Sequence, residues 1–345
     1  MTVQSWCVRI DASRAEYVRK KLLQKGLLDR SLRVARLGGD VLFPILFERL
    51  ADLPADLKEK IEIANFEERK AVESDYKQYV KIPQSLVPLL PSSFDIVGDI
   101  AVIKLPDALL PYKSEIGDAL IRAFPHIKTV ALDKGIKGEM RIMGLEIIAG
   151  ENRTETVHTE YGLKFKVDMK KMYFNPRLAS ERRRIASLVG NEEIVIDMFA
   201  GVGPFSIMIR KYGMPRIVYA IDFNVNAIDY LRKNIVLNHL NRIVPICADA
   251  KTAIEDLPPA NRIVMNLPHS AGEFIMTALS KLEENGILHT YFISDKTKEH
   301  DFVKSVRTEC TMAGYLIEVL RCEELKSYSP VASVYSLDLL LIKRG

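Results

Sequence analysis

The chain has 345 residues, 48% hydrophobic and 27% charged, with a formal net charge of +4. Those proportions are those of a soluble globular protein, and the length calls for two or three domains rather than one. No stretch approaches 18 consecutive apolar residues and Met1-Thr2-Val3-Gln4 does not read as the start of a signal peptide, so a cytoplasmic protein is expected rather than a membrane or secreted one.

Residues 1–66 read as a small α/β module. Trp6-Cys7-Val8-Arg9-Ile10 alternates like a strand, and Ser13 is placed to cap a helix through Ala15, Val18, Leu22 and Leu23 that Gly26 stops. Leu32–Arg36 and Val41–Ile45 flank Gly38-Gly39-Asp40, a hairpin signal. Arg30, Arg33 and Arg36 are suited to phosphate or to a solvated strand face. The charged run near 67–75 lacks an apolar face and reads as a linker.

Residues 76–168 read as a second unit. Phe94–Ile103 is strand, turn, strand. Tyr112 to Phe124 is a helix with Ile116, Ala119, Leu120 and Ala123 on one face. Leu145–Gly150 and Leu163–Asp168 are further strands. A small antiparallel sheet with helices on one face is expected, an architecture common among RNA-binding modules. From His126 to Arg184 there are 13 Lys/Arg against 8 Asp/Glu, a local excess that suits a polyanion such as RNA as well as an ordinary solvated surface.

Residues 169–345 alternate strand and helix. Strands are expected at 194–197, 217–221, 244–247, 262–266, 287–293, 315–321 and 334–342, with helices between the first five. Only a loop separates the last two, so they should pair antiparallel at the sheet edge. The fold class expected is α/β, a doubly wound Rossmann-like domain with a terminal hairpin, the arrangement of the common methyl-transferring α/β fold, behind two smaller α+β domains.

The first of these strands runs into Asp197-Met198-Phe199-Ala200-Gly201-Val202-Gly203-Pro204. A glycine turn at a strand-to-helix junction lets backbone approach a nucleotide or nucleoside. A dinucleotide fingerprint wants a third small residue, Gly or Ala, where this chain has Ser206. The second strand ends in Asp222, suited to two ribose hydroxyls, and Phe223 beside it can pack on adenine. The third ends in Asp249-Ala250, where a carboxylate can accept from an adenine amino group. The fourth ends in Asn266-Leu267-Pro268-His269. Each acid alone is as well read as a turn or cap residue. Together the four strand ends converge on the sheet edge where open α/β sheets bind ligands.

Asn266-Leu267-Pro268-His269 resembles the Asn/Asp-Pro-Pro-aromatic motif of enzymes that methylate exocyclic amino groups, with Leu for one of the two prolines and His for the ring. That departure argues against ordinary amino methylation. Upstream lies Tyr173-Phe174-Asn175-Pro176-Arg177-Leu178-Ala179-Ser180-Glu181. Asn175 can cap a helix and Pro176 suits its first turn. Arg177, Glu181 and Arg184 would then share one face.

These stretches, with A-I-D-F-N at 220–224 and N-L-P-H-S-A-G-E-F at 266–274, resemble the archaeal/eukaryotic tRNA (guanine-37-N1)-methyltransferases. The resemblance covers the whole chain and is most specific in its last 180 or so residues. It implies three domains: residues 1–66 recognise the tRNA elbow, while 76–168 and 169–345 hold the anticodon arm. It implies S-adenosylmethionine as donor, held by Asp197, Phe199, Ala200, Gly201, Val202, Gly203, Asp222, Phe223, Asp249, Ala250, Asn266 and Pro268. It implies Glu181 as general base, Arg141 stabilising guanine O6, Asn266 fixing the guanine edge, and Tyr173, Arg177 and Pro268 around the substrate.

No metal is expected for methyl transfer, and the four scattered cysteines form no CxxC pair, which argues against zinc and disulfides. A monomer without an obligate protein partner is expected. A related branch transfers the aminocarboxypropyl group of the same cofactor to a modified guanine 37, and the resemblance gives that branch no N-L-P motif. Some relatives also methylate the wyosine precursor at position 37, which stays open here. A tRNA-binding protein with a vestigial cofactor site would need a lost motif residue, and none is lost.

Overall fold

The computed structural model describes every residue except 1, 30, 68–74, 138–141, 330 and 345. The chain divides into two compact units, Met1–Tyr79 and Val80–Gly345.

The first unit contains β1 (Thr2–Asp11), α1 (Ala15–Gln24), β2 (Ala35–Leu37), β3 (Asp40–Pro44), α2 (Ala55–Lys58) and β4 (Ile61–Glu67). Its sheet has the order β2-β3-β1-β4, antiparallel throughout. Val8, Ile10, Val18, Leu22, Phe43 and Leu57 form its core. The turn into α1 differs in detail from expectation. Asp11, not Ser13, supplies a cap, and it caps the 3₁₀ turn Ala12–Arg14 ahead of α1, its carboxylate accepting from Ser13 N at 2.9 Å, while α1 itself has no side-chain cap. Aspartate is the stronger acceptor of the two. The linker expected near 67–75 falls largely outside the described residues.

The second unit opens with β5 (Asp95–Val97), β6 (Ile100–Ile103), α3 (Lys113–Ala123), β7 (Thr129–Lys137) and β8 (Ile142–Gly150). The sheet order is β5-β6-β7-β8, and β6–β7 is parallel. The expected purely antiparallel sheet is therefore mixed. The helix α3 carries the chain back over the sheet face, and a strand reached by such a crossover returns parallel. Helix and sheet meet closely at Gly117, where a Cβ would sit 2.6 Å from Ala149 Cβ.

A separate hairpin follows, β9 (Glu155–Glu160) and β10 (Leu163–Asp168). Tyr161 and Gly162 both take positive φ (49° and 81°), as a two-residue hairpin turn requires.

The remaining elements are α4 (Ala179–Leu188), β11 (Ile194–Asp197), α5 (Pro204–Tyr212), β12 (Ile217–Asp222), α6 (Val225–Leu237), β13 (Ile243–Cys247), α7 (Ala250–Ala253), β14 (Ala260–Met265), α8 (Ala271–Lys281), β15 (Leu282–Asp295), α9 (Glu299–Met312), β16 (Tyr315–Ser327) and β17 (Ala332–Arg344). They build a seven-stranded sheet, β13-β12-β11-β14-β15-β17-β16. β17 runs antiparallel to both neighbours, so the terminal pair forms as expected. Helices cover both faces. One core holds Ile185, Phe205 and Leu231 and continues into Val97, Ile100 and Val102 of the smaller sheet. The other holds Ile275, Leu279 and Val306.

Strand order reverses between β11 and β14, which opens a crevice at their carboxyl ends. The hairpin is tied to this crevice. Asn234 accepts from Lys166 N at 2.7 Å and donates to Lys166 O at 3.0 Å, and it also donates to Val202 O at 3.1 Å. Its amide thus extends the edge of β10 as a strand would and fixes the glycine turn. No helix among the described residues is long and apolar enough to cross a membrane.

Candidate active site

The crevice begins where β11 stops. Gly201 and Gly203 both take positive φ (54° and 86°), bending the chain back before Pro204 opens α5. At Gly203 a Cβ would lie 2.2 Å from Leu231 Cδ1, so α5 and α6 meet only across a glycine. Gly203→Ala is expected to lower the stability of the folded chain by at least about 2 kcal/mol, read as a shifted denaturant midpoint. An unchanged midpoint would show that the turn tolerates a side chain.

Asp222 closes β12. Its Oδ2 accepts from Gly201 N at 2.7 Å and its Oδ1 from Asn224 N at 2.9 Å. Burial pushes its carboxyl up, and the two backbone donors oppose that. Each oxygen keeps a second lone pair, so the group is presented to the crevice as a pre-oriented pair of acceptors. Asn224 caps α6 and donates to Lys171 O at 2.9 Å, fixing the segment that leads into Tyr173. Phe223, 46% exposed, stands beside them.

One cavity collects these groups. At one end are Phe199, Ala200, Gly201, Asp222 and Phe223. At the other are Asn266, Leu267, Pro268, His269 and Tyr291, joined by Lys326 and Tyr328 from the β16–β17 pair. Tyr173, Phe174, Asn175 and Arg182 complete the wall. His269 and Tyr328 meet edge to face, ring centroids 5.4 Å apart, at the second end.

Several expected residues lie elsewhere. Asp197 is fully buried, accepts from Ser206 Oγ at 2.7 Å and does not face the cavity. Burial pushes its carboxyl up to about 7. It anchors the start of α5 instead. Asp249 turns back onto α7 and accepts from Lys251 N at 2.8 Å, which is the cap alternative, and its neighbour Ala250 is buried away from the cavity. Val202 and Gly203 shape the turn without forming the wall. Arg141 lies outside the described residues.

Arg177 does not share a face with Glu181. Residues 176–178 form a 3₁₀ turn, and Arg177 pairs with Asp95 at 2.6 Å. The cap itself forms as expected, Asn175 accepting from Arg177 N at 3.0 Å.

Glu181 is 6% exposed and is not part of the cavity wall. Its Oε2 accepts from Arg184 Nε at 2.8 Å and its Oε1 from Arg184 Nη2 at 2.7 Å. Oε1 also accepts from Tyr291 OH at 3.0 Å. Arg184 is shared, donating from Nη1 to Asp338 Oδ2 at 2.7 Å. Across the strands from Asp338 stands His289, with Nδ1 2.7 Å from Asp338 Oδ1 and Nε2 2.7 Å from Arg262 Nη1. A guanidinium only donates, so His289 Nε2 accepts and Nδ1–H donates to Asp338. Burial lowers the His289 pKa, which suits this neutral tautomer. Burial would raise Asp338, but His289 and Arg184 outweigh it and hold the carboxyl down at about 2.

Arg182 is the residue the sequence hid best, since it sits inside the run Arg182-Arg183-Arg184. It is buried, donates to Glu160 Oε1 at 2.5 Å and to Asn175 O at 2.7 Å, and its guanidinium carbon lies 5.3 Å from the Phe174 ring centroid. Tyr291, in an apolar strand, and Tyr328, in a turn, gave no signal either.

Residues 156–318 match the TRM5/TYW2 methyltransferase domain, residues 77–154 the TYW2 N-terminal domain and residues 7–49 the tRNA methyltransferase 5 N-terminal domain. The chain is 39% identical over 326 residues to the tRNA (guanine(37)-N(1))-methyltransferase Trm5b of Pyrococcus abyssi, covering 94% of this chain and 95% of that one. The chain belongs to the Trm5-type tRNA methyltransferase family. The crystal structure of Pyrococcus abyssi Trm5b superposes with a TM-score of 0.73 at 36% identity, over 98% of this chain and 99% of that one. The family is wider than one reaction. A tRNA(Phe) (4-demethylwyosine(37)-C(7)) aminocarboxypropyltransferase of Methanocaldococcus jannaschii is 34% identical over 196 residues, 56% of this chain and 78% of that protein.

As a Trm5-type protein the chain is an S-adenosylmethionine-dependent methyltransferase. Its residues fit that group. The paired acceptors of Asp222 suit ribose hydroxyls, and Phe223 puts an aromatic side chain in the same wall, which suits a base. The glycine turn brings backbone to the cavity without side chains between.

Proposed function

We propose that this enzyme methylates N1 of guanine 37 in the tRNA anticodon loop. The observation that carries the reading is the placement of Asn266-Leu267-Pro268-His269 at one end of the cavity whose other end is formed by Gly201, Asp222 and Phe223. Donor and acceptor sites then adjoin within one wall.

Guanine N1 lies on the Watson–Crick edge, so the nucleotide must be flipped out of its stack to enter. S-Adenosylmethionine supplies an activated methyl whose S–CH₃ bond breaks as the N1–CH₃ bond forms. This chain's residues then have three tasks. Asn266 and Pro268 hold the guanine edge, and Tyr173 encloses it. Glu181 receives the N1 proton. Arg141 meets the charge that builds on O6. Arg177, paired with Asp95 outside the cavity, supports the Tyr173–Asn175 turn rather than the base itself.

The test is a single-turnover assay with labelled methyl donor on a transcript bearing G37 and on the same transcript with A37. 1-Methylguanosine from the G37 transcript alone is expected. An aminocarboxypropyl mass gain on a wyosine-precursor tRNA, without methyl transfer to G37, would move the protein to the neighbouring branch. The intact Asn266-Leu267-Pro268 favours methyl transfer. Methylation of the wyosine precursor is a second activity to assay once the first is measured.

The first unit, with residues 1–66 as its recognition module, is assigned the tRNA elbow, and the rest of the chain the anticodon arm. Deleting residues 1–66 is expected to raise the KM for full-length tRNA at least about tenfold and to leave S-adenosylmethionine affinity unchanged. Equal KM values for the truncated and full chains would sink the elbow assignment.

A further inference from the structure

The proposed base poses a geometric problem. A general base must lie within hydrogen-bond reach of its proton, directly or through one intervening group. Glu181 is buried, lies off the cavity wall, and has both oxygens engaged by Arg184. The residue that does both jobs is Tyr291. It is part of the cavity wall, it is itself 1% exposed, and its hydroxyl donates to Glu181 Oε1 at 3.0 Å. It follows Thr290, which pairs in register with Met265, so Tyr291, still within β15, lies level with Asn266 where that residue leaves the end of β14.

We infer that the Tyr291 hydroxyl relays the guanine N1 proton to Glu181. The inference rests on the base role proposed for Glu181. As the N1–CH₃ bond forms and the donor's S–CH₃ bond breaks, the N1–H bond breaks toward Tyr291 Oη, and the Tyr291 O–H proton passes to Glu181 Oε1. The tyrosine ends as it began, a neutral phenol. The proton resides on Glu181, and the donor's positive charge is lost as it becomes a neutral thioether. No further reactant is needed.

The surroundings suit a relay. The charged and titratable groups around Tyr291 are Glu181, Arg182 and Arg184 on α4, Asp338 on β17 and His289 on its own strand. Burial, with Glu181 and Asp338, raises the phenol well above its ordinary value, so it stays protonated and can only pass a proton through. Arg184 is divided between Glu181 and Asp338, and His289 holds Asp338 from behind. That arrangement fixes the Glu181 carboxylate in place beside the Tyr291 hydroxyl.

The experiment compares full-length wild type, Tyr291→Phe, Glu181→Gln and the double variant in single turnover on G37 tRNA across pH. S-Adenosylmethionine affinity is measured by calorimetry as the control for folding. Tyr291→Phe removes one oxygen and keeps the ring against Phe205. The expected result is a loss of roughly a hundredfold near neutrality with cofactor affinity within about twofold. The double variant should be no slower than Glu181→Gln, because both act on one path. The deficit should shrink by roughly tenfold per pH unit on the alkaline side, where solvent hydroxide takes over removal of the N1 proton.

A deficit of equal size at every pH would make Tyr291 a packing residue and overturn the relay. So would Tyr291→Phe within about threefold of wild type beside a slow Glu181→Gln, since Glu181 would then act directly. A fast Glu181→Gln would instead remove the base assignment itself, whatever Tyr291→Phe does.

Discussion

Glu181→Gln is expected to slow the methyl-transfer step at least about a hundredfold while leaving S-adenosylmethionine affinity within about twofold. Glutamine keeps the shape of the side chain and one acceptor oxygen, but it cannot take a proton. The cofactor end of the cavity is built from other elements, Gly201 and Asp222 to Asn224, and none of them touches Glu181. Binding should therefore survive. Arg184 loses one of its two carboxylates but keeps Asp338. One glutamine oxygen cannot satisfy Arg184 twice and Tyr291 as well, so a loss of about 1–3 kcal/mol in stability should accompany the rate effect. Single-turnover rates and a parallel urea titration separate the two. A rate within a few fold of wild type in a folded variant would show that another group removes the proton.

Arg182→Met is expected to be the most destabilising substitution near the site, by about 3–5 kcal/mol. The arginine is 1% exposed and pairs with Glu160, which is 4% exposed. Methionine fills most of its volume but leaves a buried carboxylate without its cation. Among the described residues, Glu160 Oε2 already has no hydrogen-bond partner, so no second donor stands ready. Besides Arg182, His158 lies near this carboxylate, its Nε2 3.5 Å from Glu160 Oε1. The Asn175 carbonyl also loses its donor, which loosens the turn carrying Tyr173. A fall of roughly 10 °C in melting temperature is expected. Adding Glu160→Gln should recover about half of it or more, because the penalty lies in the stranded charge rather than in lost packing. A double variant no more stable than Arg182→Met would place the penalty in packing against Phe174 and Phe205.

The proposed chemistry thus leans on two buried ion pairs on one short helix. Arg182 and Arg184 of α4 point to opposite sides of it, one to β9 and the cavity wall, the other to β17. In each case the guanidinium makes several directed bonds, which a lysine could not reproduce. Lysine at either position should therefore rescue little.

What the sequence determined by itself was the local grammar. The presence of the seven strands, the glycine turn, Pro204 at the start of α5 and the Asn175 cap all depend on neighbours a few positions away, and each formed as read, although β15, β16 and β17 run further than expected. So did the doubly wound order, since apolar strands joined by helices leave few ways to build a sheet. The convergence of Gly201, Asp222 and Asn266 on one crevice followed from that order. Asp249 shows the limit. A carboxylate at a strand end serves a ligand or a helix cap with equal local fitness, and here it caps α7.

Only the tertiary structure decided the rest. Glu181 meets Tyr291 across 110 positions and Arg184 meets Asp338 across 154. No periodicity carries such pairings, because they are set by which faces pack once the sheet has formed. The same holds for Arg182, which reads as one charge in a solvated run until two phenylalanine rings and Glu160 close over it. A charge run is normally a surface feature because desolvation is costly, and only a partner brought from a distant strand makes burial affordable.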